Sequence, residues 1–299
     1  MSEITEHGVL TPFIFTQHAV RGAVVQVTQG WAEWLSHRYY PQTVSQLLGQ
    51  AMAAAPLLAA TLKFEGKLSL QAEGDGAVPM LIVQASHDLE VRGMARLKNE
   101  ITEVGGAAGP SLFGEGRLGM ILEPANDGQR YEAVVALNGA TLGECLAAYF
   151  TQSEQLDTRV LLAADGERLA GILLQKMPPA DVDGEDADTW PRLTALLETL
   201  SDEELLSLPV EEQLHRLYHE EEVALFEARP VSLRCQCSHA RTSGLLLGMG
   251  ETEVRSILQE QGQVEMECGF CGRQYRYQAV DIEQLFEAES AEPDSGLRH

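Results

Sequence analysis

Arg234-Cys235-Gln236-Cys237-Ser238 and Glu267-Cys268-Gly269-Phe270-Cys271-Gly272 stand with thirty residues between their cysteine pairs, near the end of the chain. Two close pairs of thiols, brought together by a short fold, make a tetrahedral site of the kind zinc takes. Four thiolates close that shell and leave no position for water or substrate, which argues against a zinc hydrolase. His239, two residues after Cys237, is a competing donor, but four cysteines already complete the tetrahedron. Gly269 and Gly272 suit a tight turn whose amides face sulfur. Val264–Glu267 and residues 273–277 flank that turn as the arms of a hairpin. Such a site serves either of two roles. It can staple a unit too small to hold itself together. It can also act as a switch, because oxidation of the thiols removes the ligands and, with them, binding energy on the order of 10 kcal/mol.

Working outward, residues 252–261 read as a helix with Val254, Ile257 and Leu258 inward and Gly262 as its stop. The end of the chain, from about residue 290, is expected to be disordered. Before the cysteines, residues 179–231 hold 15 acidic and three basic residues, a net charge of −12. Residues 178–188 read as a flexible acidic linker. Beyond them come helical patterns at Leu193, Leu196, Leu197 and Leu200, at Leu205 and Leu206, and at Leu214, Leu217 and Tyr218. Ser201 with Glu204 forms a capping box, and Pro209 separates two helices. Isolated helices this short are marginal in water. They are either ordinary surface helices or a metastable segment that melts when its docking surface is lost.

Residues 1–178 read as one α+β domain, a sheet core covered by helices. Strands are expected at Val20–Val27, 67–73, 80–84, 89–97, 117–123 and Tyr131–Ala136. A hairpin of 159–164 and 168–175 turns at Asp165-Gly166. Helices are expected at 31–38, 43–62 (kinked near Pro56) and 141–153. Gly114-Glu115-Gly116-Arg117-Leu118-Gly119 matches the dinucleotide fingerprint in letters. The stretch after it looks like a strand rather than a phosphate-binding helix, so it reads as a turn. Cys145 reads as a helix-core thiol.

The 299 residues carry a net charge of −24 with 44% apolar content. Such acidity speaks against nucleic acid and anionic membrane as partners. The first six residues carry no basic segment leading into an apolar run, so no secretory signal is expected. The charge-free stretch from Tyr39 to Leu62 contains glutamines and two prolines, which points to a buried amphipathic helix rather than a span. Five cysteines, four of them clustered, fit a reducing compartment rather than a disulfide framework.

The whole chain resembles the heat-shock protein 33 family of redox-regulated, zinc-binding bacterial holdase chaperones. The resemblance rests on both cysteine pairs and on Leu214-His215-Arg216-Leu217-Tyr218-His219-Glu220-Glu221. It rests also on residues 114–122, on Arg92-Gly93-Met94-Ala95, and on Tyr149-Phe150-Thr151-Gln152-Ser153-Glu154-Gln155-Leu156. It implies a sheet-and-helix domain at 1–178 for client binding and dimerisation, a metastable helical linker at 179–231, and a redox-switch domain at 232–299. It implies one zinc ion on Cys235, Cys237, Cys268 and Cys271 in an inactive reduced state. Oxidation then forms Cys235–Cys237 and Cys268–Cys271 disulfides, frees the metal and unfolds the linker. The exposed apolar surface, commonly in a dimer, holds unfolding proteins in the cytosol without ATP or catalysis. Two rivals remain: a zinc-ribbon protein-interaction adaptor, and a thiol–disulfide oxidoreductase built on Cys268 and Cys271.

Overall fold

The computed structural model describes residues 7–61, 65–98, 107–125, 128–178 and 187–291. The first six residues, nearly all of the acidic junction at 178–188 and the last eight residues lie outside them. The chain forms two compact units, Met1–Arg234 and Cys235–His299.

In the first unit, strands β1 (Gly8–Phe15) and β2 (Val20–Val27) precede helices α1 (Trp31–Ser36) and α2 (Gln42–Thr61). There follow β3 (Gly66–Gly74), β4 (Met80–Ser86), β5 (Glu90–Arg96), β6 (Gly116–Pro124), β7 (Tyr131–Ala136), α3 (Leu142–Tyr149), β8 (Thr158–Ala164) and β9 (Leu169–Lys176). Helices α4 (Thr189–Leu197), α5 (Asp202–Ser207) and α6 (Val210–Tyr218) lead to β10 (Val223–Leu225) and β11 (Arg229–Leu233). Among the described residues all these strands join one eleven-stranded sheet, ordered β7-β6-β3-β4-β5-β11-β1-β2-β9-β8, with β10 beside β1. Among the described residues only the β11–β5 pairing is parallel.

Apolar residues decide how the sheet is covered. α2 is long and apolar enough to cross a membrane, yet 72% of its apolar window is buried inside the protein. Its Val44, Leu47, Leu48, Met52 and Leu57 pack against β4, β5, β8 and β9. Gly49 permits that approach: a Cβ there would lie 2.6 Å from the Cβ of Ala164. Pro56 is accommodated inside the continuous α2 helix. The Gly-rich run at 114–119 opens β6, and Gly114 takes a positive φ of 67°. A strand therefore stands where a nucleotide-binding helix would have to begin.

β2 and β9 are buried at nearly every position, as expected of strands covered on both faces. The acidic stretch supplies part of that cover. Leu193, Leu197, Leu200, Leu205, Leu206, Val210, Leu214, Leu217 and Tyr218 share one core with Phe13, Phe15, Val20, Val24, Ile172 and Leu174. Each fully buried leucine contributes about 2 kcal/mol. Polar groups fix the docking. Ser201 and Glu204 close a capping box at the start of α5. At its other end the amides of Gln26 and Gln213 both donate to the carbonyls of Leu205 and Leu208, at 2.8 to 3.2 Å. Glu221 accepts from Arg192 at 2.8 Å and pairs with His18 at 3.0 Å, tying the end of α6 to the β1–β2 turn.

The sequence reading placed no strand at 8–15 and none within 223–233. Strands of three and five residues take their identity from partners rather than from a pattern of their own. β11 ends at Leu233, one residue short of the second unit's first residue, Cys235. The Arg234 amide donates to Val91 O at 2.9 Å, its guanidinium pairs with Glu90 at 2.6 Å, and Cys235 follows.

In the second unit, α7 (His239–Met249) and α8 (Glu251–Gln261) precede the hairpin of β12 (Val264–Glu267) and β13 (Gln274–Tyr277) and then α9 (Ala279–Ala291). Its fully buried apolar core is small: Leu246, Val254, Val264, Tyr277, Ile282 and Phe286. A core of that size needs a further constraint to hold its shape.

Candidate metal centre

Four cysteines of this unit come together in a cluster that could hold a metal ion. Cys268 and Cys271 sit on the turn between β12 and β13. The amide of Cys268 donates to Arg273 O and that of Gly272 to Cys268 O, both at 2.9 Å. Gly272 has a φ of +73°, a conformation that a side chain would strain. Cys235 and Cys237 immediately precede α7, whose N-cap Ser238 accepts the Arg241 N–H at 3.2 Å.

The Sγ atoms of Cys235 and Cys268 lie 3.6 Å apart, and those of Cys237 and Cys271 lie 3.5 Å apart. All four sulfurs fall within 4.8 Å of one another. Zinc–sulfur bonds of about 2.3 Å in a tetrahedron set neighbouring sulfurs about 3.8 Å apart. The residues therefore fit a thiolate-bound metal ion with shifts of well under an ångström at the closest pairs.

Backbone amides are aimed at the sulfurs, as a tetrathiolate needs. Burial pushes the Cys268 thiol up, but N–H groups of Cys271 and Phe270 and the neighbouring sulfurs outweigh it and bring it down to about 7. Burial pushes Cys235 up to about 11, against the opposing N–H of Cys237. Burial and the adjacent thiolates also raise Cys271. Of Cys235, Cys268 and Cys271, Cys268 is thus the sulfur most ready to ionise. Arg273 places a positive charge beside the cluster. Burial alone would lower it, yet the charges of Cys237, Tyr275 and Cys271 raise it. The sequence reading did not single out Arg273; its position two residues after Cys271 was the available signal.

His239 stands apart from the sulfurs. Its ring packs on Tyr277 at 4.5 Å, and its Nδ1 lies 3.4 Å from Ser243 Oγ. Cys145 is buried in α3 with its thiol pushed up by that burial. The cluster thus brings together the four cysteines singled out in the sequence and leaves out the fifth.

Comparison with known proteins follows this geometry. A family model described as Hsp33 protein matches residues 9–278. A 33 kDa chaperonin of Pseudomonas paraeruginosa is 44% identical over 292 residues, covering 96% of this chain and 97% of the relative. One of Pseudomonas syringae pv. syringae is 43% identical over 290 residues, covering 96% of each. The solved structure of a 33 kDa chaperonin from Thermotoga maritima superposes with a TM-score of 0.78 at 20% identity, covering 95% of this chain and 99% of that one. Family-model coverage and this level of identity over nearly the full length agree: the chain belongs to the Hsp33 family.

Proposed function

We propose that the protein is a redox-regulated, ATP-independent holdase chaperone rather than an enzyme. The observation that carries this reading is the cluster of four sulfurs within 4.8 Å in a unit with a small core, in a chain of the Hsp33 family. In the reduced, inactive state Cys235, Cys237, Cys268 and Cys271 hold one zinc ion. Bound zinc neutralises thiolate charge and cross-links the unit, on the order of 10 kcal/mol of folding energy.

Activation starts at sulfur. Each pair of thiolates gives up two electrons to an oxidant such as hydrogen peroxide, which takes two protons from solvent and leaves as two waters. Cys235 bonds to Cys237 and Cys268 to Cys271, so no thiolate ligand remains. The tight Cys-X-Cys ring makes the first disulfide strained and easily reduced, which keeps the switch reversible. The unfolded unit begins one residue after β11, and the acidic linker of 179–231 lets go of the sheet. Leu193, Leu197, Leu214 and their neighbours then present apolar surface to partly unfolded client proteins, while the linker's charge keeps complexes soluble. The active form is a homodimer in the cytoplasm and engages neither nucleic acid nor membrane.

The test is peroxide treatment of the reduced, zinc-loaded chain under mild heat. Release of one zinc, loss of four thiols and onset of aggregation suppression are expected together. Retained zinc with unchanged suppression would reject the switch, and turnover in an insulin-reduction assay would favour the oxidoreductase reading.

A further inference from the structure

The linker does more than bury leucines: its last residues cover one backbone edge of β1. The other edge of β1 is paired with β2 from Gly8 to Ile14. On the covered side, Phe13, Ile14 and Phe15 face Leu225, Ala224 and Val223 of β10. Gly8, Val9 and Leu10 face Val231, Pro230 and Arg229 of β11. Three further hydrogen bonds extend the ladder: His7 N–H to Val231 O at 3.0 Å, Phe226 N–H to Pro12 O at 2.9 Å and Thr16 N–H to Glu222 O at 2.9 Å.

This cover is thin. It comes in two short pieces joined by an exposed turn, with Phe226 and Leu225 52% and 41% exposed. Pro230 has no N–H to donate, and β11 pairs with β5 over a short parallel stretch, Ser232 and Leu233 opposite Glu90 and Val91. The edge beneath it is long and apolar, Gly8-Val9-Leu10-Thr11-Pro12-Phe13-Ile14-Phe15. An uncovered edge of this kind recruits other chains.

We propose that residues 223–233 occupy, in the inactive protein, the site at which clients bind. Once they lift away, the β1 edge takes up an extended, apolar segment of a partly unfolded polypeptide as an added antiparallel strand. The ladder is about 26 Å long, eight residues at about 3.3 Å each. Main-chain hydrogen bonds supply affinity without requiring a sequence, which suits a binder of many clients. This inference rests on the reading that oxidation releases the linker. It goes further in naming the backbone edge and the strand conformation of the partner.

The experiment places a photo-crosslinker on β1 (Val9→p-benzoylphenylalanine) and, separately, on the terminal strand β7 (Val134→p-benzoylphenylalanine). Thermally unfolding citrate synthase is the client. After oxidation, position 9 should crosslink to client and position 134 should not; before oxidation neither should. A peptide of residues 222–233 in excess should abolish the crosslink, and the same peptide N-methylated at Ala224 and Phe226 should not. Client held while position 9 stays silent, crosslinks only between two copies of the chain, or equal competition by both peptides would overturn strand addition. An oxidised chain that holds no client would overturn the functional reading instead.

Discussion

Replacing Leu197 by Ala should loosen the linker without touching a cysteine. Leu197 is 0% exposed and lies in the core that α4–α6 share with Phe13, Val24 and Ile172. Removing a buried leucine's terminal groups costs about 2–5 kcal/mol, because the cavity adds to the lost transfer energy. Taking about 3 kcal/mol, the opening equilibrium of the linker rises by roughly a hundredfold. Hydrogen exchange of the reduced, zinc-loaded variant reads this directly. Amides of Thr189–Leu197 and Val210–Tyr218 should exchange about a hundredfold faster, while those of β3 and β6 keep their protection. Aggregation suppression should begin at lower oxidant or lower temperature than in the parent chain. Unchanged exchange in α4 and α6 would show that the leucines do not hold the linker down. Loss of protection across β3 and β6 together with α4–α6 would show that linker and sheet unfold as one, leaving no separable segment to switch.

Other perturbations test neighbouring links. Burial raises the Glu221 carboxyl, but Arg192 and His18 outweigh it and hold it below the ordinary value of 4.5. Its contribution is therefore full above that value and lost as pH falls through the folded one; linker protection should drop on acidification through this range, and Glu221→Gln should remove that step. An identical pH profile in Glu221→Gln would refute the role. Ser201→Ala removes a capping box and should cost about 1 kcal/mol, speeding exchange in α5 about fivefold while β3 stays unchanged. Cys268→Ser should lower bound zinc from one per chain to none by elemental analysis and erase the thermal transition of residues 235–291; a variant retaining its zinc would refute the four-ligand site.

Much of this fold is legible residue by residue where one element's pattern is self-sufficient. β2 and β7 are bounded as the alternation and turn residues indicate, and Ser201, Glu204 and Pro209 mark α5 and α6 at the expected places. β1 was not legible because Pro12 interrupts it and because half its partners lie more than two hundred residues away. β10 and β11 were hidden by their brevity and by the acidic stretch around them. At the candidate metal centre the cysteine spacing indicates which four sulfurs come together. The amides of Phe270, Cys271 and Arg273 that tune them depend on the hairpin's three-dimensional turn, which spacing alone does not describe.

Arg234 is the whole of the spacer between β11 and Cys235, and it is itself anchored to β5. One residue spans at most about 3.6 Å, so the junction has almost no slack. Leu233 belongs to β11, which among the described residues is the one strand that joins the β5 half of the sheet to the β1 half. Unseating that one strand would therefore open the sheet along a single seam, between β5 and β1.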